Sequence, residues 1–300
     1  MHVRGVDHPD RVASLIARTE LREASEPEAL AAGAWSTAYA LTVAGEPMVL
    51  RVGRHGADFA KDAVVAAVAG GTLPVPAVTA RGEVSGWAYA VSERATGTPL
   101  DDLDAEGVAA ALPALFDVMD GIGRIDVGGH GYGQWEPDRV GPYRSWPEAL
   151  VAIEREKPRE PGWRAVLAAS PIGMEPFERA LHTLRRLAPD LPDERRMIHD
   201  DLLARNVLVE GDRITAVLDW GNAAFGDPLY DAAWLLYFWP WYPQWSAIDI
   251  DAAIRRRWRP DQIALRVYQI HIGLDSMAYC ASRDRFDDVA RNAEALLRLA

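Results

Sequence analysis

The chain has 300 residues, 49% of them hydrophobic and 25% charged, with a formal net charge of −12. It is long enough for a sizeable core and too hydrophobic to be disordered. The acidity argues against a general nucleic-acid binder, which needs a basic footprint, and suits a cationic small substrate in an acidic cleft.

The first residues hold no apolar run of signal-peptide length, which predicts a cytoplasmic protein. Residues 7–30 read as a helix, with Asp10 as candidate cap and Val12, Leu15 and Ile16 at helical spacing. The stretch Gly33-Ala34-Trp35-Ser36 then leads into strands at Ala38 to Val43 and Met48 to Val52, joined by the turn signal Ala44-Gly45-Glu46-Pro47. A strand pair over a glycine-containing loop can cover nucleotide phosphates with its N–H groups, and a plain hairpin is the equal alternative. Arg51 ends the apolar run of the second strand. A cation there either faces phosphates or sits solvated at an edge. Ala60 to Ala69 reads as a helix starting near Lys61 and Asp62 and stopped by Gly70-Gly71. Val84 to Val91 reads as the edge of another strand pair, and Ser92 to Gly97 as a connector between lobes. This divides the chain into residues 1–95 and 96–300.

From Leu100 the chain turns helical, with Leu112, Leu115, Phe116, Met119 and Ile122 as a core stripe. The glycine-rich loop from Gly128 to Gly133 follows no strand, which argues against phosphate binding there. Residues 136–164 are rich in Pro, Trp and charge and suggest a surface insertion. Glu175 to Leu187 is a helix leading to His199-x-Asp201-x4-Asn206. Branched apolar residues then alternate around Glu210-Gly211-Asp212, a hairpin pattern, and the second strand runs out at Asp219-Trp220. Antiparallel pairing brings Asn206 and Asp219 to the open end, with Asp201 on the loop that feeds it. Such hard oxygen ligands suit Mg²⁺, which takes one or two protein carboxylates and completes its shell with phosphate and water. One Asp is then spare for handling a hydroxyl proton. A chance match in an acidic protein is the bland alternative, and Asp219 beyond the hairpin weighs against it.

Beyond the hairpin, Asp231 falls at the start of an apolar helix, a natural place for a structural carboxylate. Asp227 is positioned to fix the loop holding Asp219. Trp239 and Trp241 follow, either as core or as an aromatic wall for a sugar or amine. The block from Ala232 to Tyr242 is too short and Pro-broken to span a bilayer. The last helices run from about Asp261 to Cys280 and from Asp287 to Leu299. The first places Asp275 on a face with Leu265, Tyr268, Ile272 and Tyr279. A carboxylate there needs a partner: Arg266, His271 or a cationic substrate. Cys280, the single cysteine, excludes an intrachain disulfide and reads as a buried small hydrophobe.

Several segments together carry a resemblance: Val49-Leu50-Arg51-Val52, Leu73-Pro74-Val75-Pro76, Ile198-His199-Asp200-Asp201, Asn206-Val207-Leu208, Arg213 to Trp220 and Phe225-Gly226-Asp227. The chain resembles the aminoglycoside phosphotransferases, small-molecule kinases with the protein-kinase fold. Trp239-Pro240-Trp241 and Ile272-Gly273-Leu274-Asp275 point to the hygromycin branch. The resemblance implies an α+β, two-lobed fold. Its small N-terminal antiparallel-sheet lobe would bind nucleotide, and its larger, mainly helical C-terminal lobe would hold catalysis and substrate. It implies Asp201 as the catalytic group toward the acceptor hydroxyl and Asn206 and Asp219 as Mg²⁺ ligands. It implies Gly33 and Ser36 in the nucleotide loop, Arg51 in place of the usual phosphate-binding Lys, and Asp62 in place of its usual Glu partner. The backbone from Glu93 to Ala95 would meet adenine, and His199 would brace the loop. Asp231, Trp239, Trp241 and Asp275 become candidates for holding the substrate. The implied cofactors are ATP, with GTP left open, and Mg²⁺. The implied partner is a cationic aminoglycoside or aminocyclitol, hygromycin B or a relative, whose phosphorylation confers resistance. A monomer with no nucleic-acid or membrane partner is expected. Asp200 departs from the family's usual small residue and would either raise its neighbour's pKa or point outward. The rivals are a kinase for another amino alcohol or sugar, a nucleotide-binding pseudokinase, and a metal phosphohydrolase using His199 and Asp200.

Overall fold

The computed structural model describes residues 8–156 and 158–300. Helix α1 (Pro9–Thr19) is capped by His8, whose Nδ1 accepts from the Asp10 amide; the Asp10 carboxylate instead accepts from the Tyr39 hydroxyl at 2.7 Å. The helix expected to reach residue 30 stops at Thr19, and strand β1 (Glu28–Ala32) takes its place. Glu-Ala-Leu-Ala-Ala favours helix by intrinsic propensity, but it pairs antiparallel with the next strand and tertiary pairing prevails.

Strands β2 (Ser36–Val43) and β3 (Glu46–Gly53), helix α2 (Gly56–Ala69), and strands β4 (Val78–Val84) and β5 (Trp87–Glu93) complete this half. The stretch from Val84 to Val91, read as the edge of a strand pair, contains the Ser85-Gly86 turn that joins β4 to β5. The five strands lie in the order β1-β2-β3-β5-β4, all antiparallel. Period-two alternation on β3 divides its side chains. Met48, Leu50 and Val52 pack with Val12 and Ile16 of α1, while Arg51 faces Phe59 and Asp62 of α2. The Arg51 guanidinium is thereby fixed on a strand with a helix behind it.

The larger half contains β6 (Thr98–Pro99), α3 (Ala105–Ile122), β7 (Gly133–Gln134), α4 (Trp146–Val151), α5 (Trp163–Ala169) and α6 (Glu175–Leu187). It continues through β8 (Arg196–Ile198), β9 (Val207–Glu210), β10 (Arg213–Val217) and β11 (Ala224–Gly226). Helices α7 (Leu229–Phe238), α8 (Ile250–Trp258), α9 (Gln262–Ala281) and α10 (Phe286–Leu299) close the chain. Two short three-stranded sheets, β10-β9-β6 and β7-β11-β8, lie among these helices.

Two apolar cores hold this half. One joins α3, the β9-β10 hairpin and α8 through Leu115, Val207, Val217, Trp220 and Ile254. The other gathers α4, α5, α6, α9 and α10 around Trp146, Trp163, Phe177, Tyr268 and Leu296. The segment expected to be a surface insertion therefore supplies core residues. Trp146, Leu150 and Trp163 are all buried, and a buried Leu is worth about 2 kcal/mol. In the loop before it, a Cβ on Gly129 would lie 1.9 Å from the Arg139 carbonyl oxygen. The glycine there permits close chain approach, in keeping with a structural loop.

Candidate active site

The β9-β10 hairpin sets the site. Val207 pairs with Val217, and the Leu218 amide donates to the Asn206 carbonyl at 2.8 Å. Asn206 and Asp219 therefore emerge side by side at the open end. The Asn206 Nδ2 donates to the Asp201 carbonyl at 2.9 Å, which leaves the amide oxygen of Asn206 as the atom able to take a cation. Asp219 is half-exposed, and Arg51 donates to its Oδ1 at 3.1 Å. Burial raises the Asp201 carboxyl to about 8, and the Asp219 charge adds to the shift while Asn206 opposes it.

The loop carrying Asp201 is held from both ends by carboxylates. Asp231 accepts from the His199 and Asp200 amides, each at 2.9 Å. Asp101 accepts from the Ala204 and Arg205 amides at 3.1 and 2.7 Å, and from the Tyr242 hydroxyl at 2.6 Å. Asp200, Ala204, Arg205 and Asp219 all have positive φ, between 59° and 70°. Non-glycine residues in that region are strained, so the bonds that brace them are part of the site. His199 is fully buried, its ring lies 4.6 Å from that of Trp220, and its Nε2 is 2.9 Å from the Leu218 carbonyl. Burial lowers its pKa to about 4, so it is a neutral brace that donates from Nε2. That geometry does not suit the metal pair required by a phosphohydrolase.

Across the cleft, Arg51 Nη1 lies 2.6 Å from Asp62 Oδ2, and the other oxygen of Asp62 accepts from the Trp220 amide at 2.8 Å. Burial works against the charge of Arg51, but Asp62 and Asp219 outweigh it and raise its pKa. One carboxylate on α2 thus holds both the Arg51 guanidinium and the turn after Asp219. Gly33 and Ser36 close the β1-β2 loop through a 2.8 Å bond from the Gly33 amide to the Ser36 carbonyl. Trp35, at the tip of that loop, lies near the guanidinium groups of Arg159 and Arg283, and Arg159 pairs with Asp58 of α2 at 2.6 Å. The Glu93 amide donates to the Ala77 carbonyl at 3.0 Å, and the Arg94 amide to the Pro47 carbonyl at 3.2 Å, which ties the start of the connector to the sheet.

The residues expected to hold a substrate depart further from expectation. Asp231 is 3% exposed and braces the loop carrying Asp201, so it is not a surface for substrate. Trp239 is core: it is 5% exposed and its ring packs 4.7 Å from Trp245. Trp241 is half-buried beside Phe238, with the Arg291 guanidinium 5.5 Å from its ring. Asp227 accepts from the Leu229 amide and the Tyr268 hydroxyl, tying α7 to α9 rather than fixing the Asp219 loop. Asp275 is half-buried on α9, and its charge reaches Tyr230, whose hydroxyl is 2.8 Å from His271 Nδ1. Arg266 is occupied by the Leu299 and Ala300 carbonyls and is not the partner of Asp275. The Asp200 carboxylate lies toward Gln134 and Tyr230. Sequence reasoning missed Asp101, Lys61 and the Arg159–Trp35–Arg283 group. Lys61 follows no apolar alternation a reader would test, and the others meet only through tertiary contact.

A model of the family described as "Phosphotransferase enzyme family" matches residues 26–268. The hygromycin-B 4-O-kinase of Escherichia coli is 33% identical over 267 residues, covering 87% of this chain and 76% of that one. A thermostable mutant of aminoglycoside phosphotransferase APH(4)-Ia, solved as a ternary complex with AMP-PNP and hygromycin B, superposes with a TM-score of 0.83 at 32% identity, over 95% of this chain and 96% of that one. Spectinomycin phosphotransferase APH(9)-Ia, at 12% identity and a TM-score of 0.61 over 98% and 99% of the two chains, shares the fold. The fold is therefore protein-kinase-like, and the chain belongs to the phosphotransferase enzyme family as a small-molecule kinase.

Proposed function

We propose that this kinase transfers the γ-phosphoryl group of ATP to a hydroxyl of an aminoglycoside, with hygromycin B the first acceptor to try and resistance the outcome. The convergence of Asp201, Asn206 and Asp219 at one end of the hairpin carries this reading, supported by the similarity to hygromycin-B 4-O-kinase. In this reading the lobes divide at residues 95 and 96, and the connector from Glu93 to Ala95 meets adenine. Arg51, fixed by Asp62, faces the phosphates, and Gly33 and Ser36 shape the loop over them.

Asp201 orients the acceptor hydroxyl and receives its proton as oxygen bonds to phosphorus and the bond to ADP breaks. Its raised proton affinity suits that task, since a base works best with a pKa near the operating pH. Asn206 and Asp219 would hold Mg²⁺, and the donor set fits: one amide oxygen and one half-exposed carboxylate. When bound, the ion supplies charge neutralisation on the phosphate oxygens. Phosphoryl transfer otherwise asks the protein for alignment, which the Asp231 and Asp101 braces supply. For the acceptor, Asp275 and Trp241 are the remaining candidates among those named from sequence.

An ADP-release assay with Mg²⁺ and ATP tests this against hygromycin B, other aminoglycosides and simple amino alcohols, with Asp201→Ala as control. Turnover of hygromycin B that depends on Asp201 is expected. Turnover of simple amino alcohols alone would replace the acceptor, and nucleotide binding without any turnover would favour a non-catalytic role.

A further inference from the structure

Helix α2 presents three polar side chains to the turn that follows Asp219. Asp58, Lys61 and Asp62 are spaced so that all three lie on one face. Asp62 takes the Trp220 amide, and Asp58 packs so closely on Gly221 that a Cβ there would lie 3.0 Å from its Cγ. Lys61, only 3% exposed, donates from Nζ to the Gly221 carbonyl at 2.7 Å and to the Ala223 carbonyl at 2.8 Å. The ammonium also lies 4.9 Å from the centre of the Trp135 ring. A buried lysine that donates to main-chain carbonyls is a costly arrangement, because its charge has left water. The chain places it beside Asp219, one of the strained residues of this site, at φ 59° and ψ 73°.

We infer that Lys61 is a positioning residue for Asp219. It holds the carbonyls two and four residues further on, so the turn cannot relax and Asp219 keeps the left-handed backbone that aims its carboxylate at the cation site. This rests on the reading of Asp219 as a metal ligand. Asp62 and Lys61 divide the work: Asp62 fixes Arg51 and the Trp220 amide, and Lys61 fixes the rest of the turn. Loss of the ammonium leaves two carbonyls without their donor and frees the Asp219 backbone, while Asp62 still holds Arg51. The defect should therefore fall on metal-dependent nucleotide binding and spare the metal-independent part.

Calorimetric binding of AMP-PNP, with and without Mg²⁺, reads this without any acceptor. Lys61→Met should bind nucleotide alone within about twofold of the unmodified chain but lose about tenfold or more of the gain from Mg²⁺, the usual cost of removing a group that orients a metal ligand. Lys61→Arg, which keeps a cationic donor, should recover part of that gain. In metal-free protein, the amides of Trp220 to Ala223 should exchange hydrogen faster in Lys61→Met. An unchanged Mg²⁺ gain in Lys61→Met overturns the inference, as does equal weakening with and without the ion. Should Lys61→Met fail to fold, Lys61→Arg decides: an intermediate Mg²⁺ gain supports the inference and an unchanged one overturns it. If the unmodified chain itself binds no nucleotide, the kinase reading falls instead, and the inference falls with it.

Discussion

The two sides of the cleft are built differently. On the nucleotide side, Arg51, Asp62, Trp220 and Asp219 form one continuous set of contacts between 2.6 and 3.1 Å, from strand to helix to turn. On the side proposed for the acceptor, Tyr230, His271, Asp275 and Trp241 come from α7, α9 and the turn after α7, half-buried apart from Tyr230. In the proposed function the first arrangement serves one chemical task, the holding of phosphate charge. The second is free to follow the shape of an acceptor. Substitutions on the nucleotide side should be severe and general, while those on the acceptor side should be mild and substrate-dependent.

Asp201→Ala should have the largest effect, since it removes the group shared by both sides. Turnover should fall by about a thousandfold, within the range for a positioned acid or base, with AMP-PNP affinity nearly unchanged. Parallel measurement of kcat and nucleotide binding checks this, and a similar loss in both would place Asp201 in binding. Next is Asp62→Ala, which takes the nearer of its two carboxylates from Arg51, leaving it Asp219 alone, and strands the Trp220 amide. Removing one partner of a buried ion pair costs about 3 kcal/mol or more, so thermal unfolding should shift clearly downward and KM for ATP should rise. Asp62→Asn, able to accept one of the two bonds, should lie between. Wild-type behaviour of Asp62→Ala would break the contrast between the two sides.

The same contrast explains what could be read in the chain beforehand. The site that depends on local spacing was legible: Asn206 and Asp219 meet because a hairpin obliges them to, and the Arg51 and Asp62 assignments follow the family resemblance and meet in the structure. β1 was not, because an exposed edge strand of Glu, Ala and Leu has no alternation to betray it. Trp146 and Trp163 were misplaced because a segment rich in Pro and charge looks superficial until its aromatics are seen to converge on Phe177, Tyr230 and Tyr268. Asp101 could not be found at all. Its two bonds to the catalytic loop span about a hundred residues, and no local pattern encodes them.

Asp231 tests whether the catalytic loop belongs to the rigid side. Asp231→Asn keeps one acceptor for two amides and should cost about 1–2 kcal/mol of stability. Burial lifts the Asp231 carboxyl to about 6 in the folded protein, with the His199 and Asp200 amides opposing the shift. That lies above the ordinary value near 3.9, so the folded state takes up the proton first. The folded wild type therefore gains stability relative to Asp231→Asn as pH falls from about 7 through 6, and the gain ends near the ordinary carboxylate value. Denaturant melts of both proteins over that window should show their difference widening toward acid. A constant difference would mean that the His199 and Asp200 amides offset the burial in full and that the brace holds the charged carboxylate more strongly than its raised proton affinity implies.

The smallest expected effects separate the two tryptophans of the turn after α7. Trp239 is packed on Trp245 in the core, so Trp239→Phe should leave a small cavity, lower stability by about 1–2 kcal/mol and leave acceptor KM unchanged. Trp241 is half-buried, with Arg291 near its ring. Trp241→Ala should leave the unfolding temperature nearly unchanged and raise acceptor KM by a few-fold, with KM for ATP unaffected. If Trp241→Ala instead lowers stability as much as Trp239→Phe, the indole is part of the core and the acceptor side loses its aromatic wall. Recognition would then fall to Asp275 and the polar group around Tyr230, and acceptor affinity should weaken with salt, as ionic recognition requires.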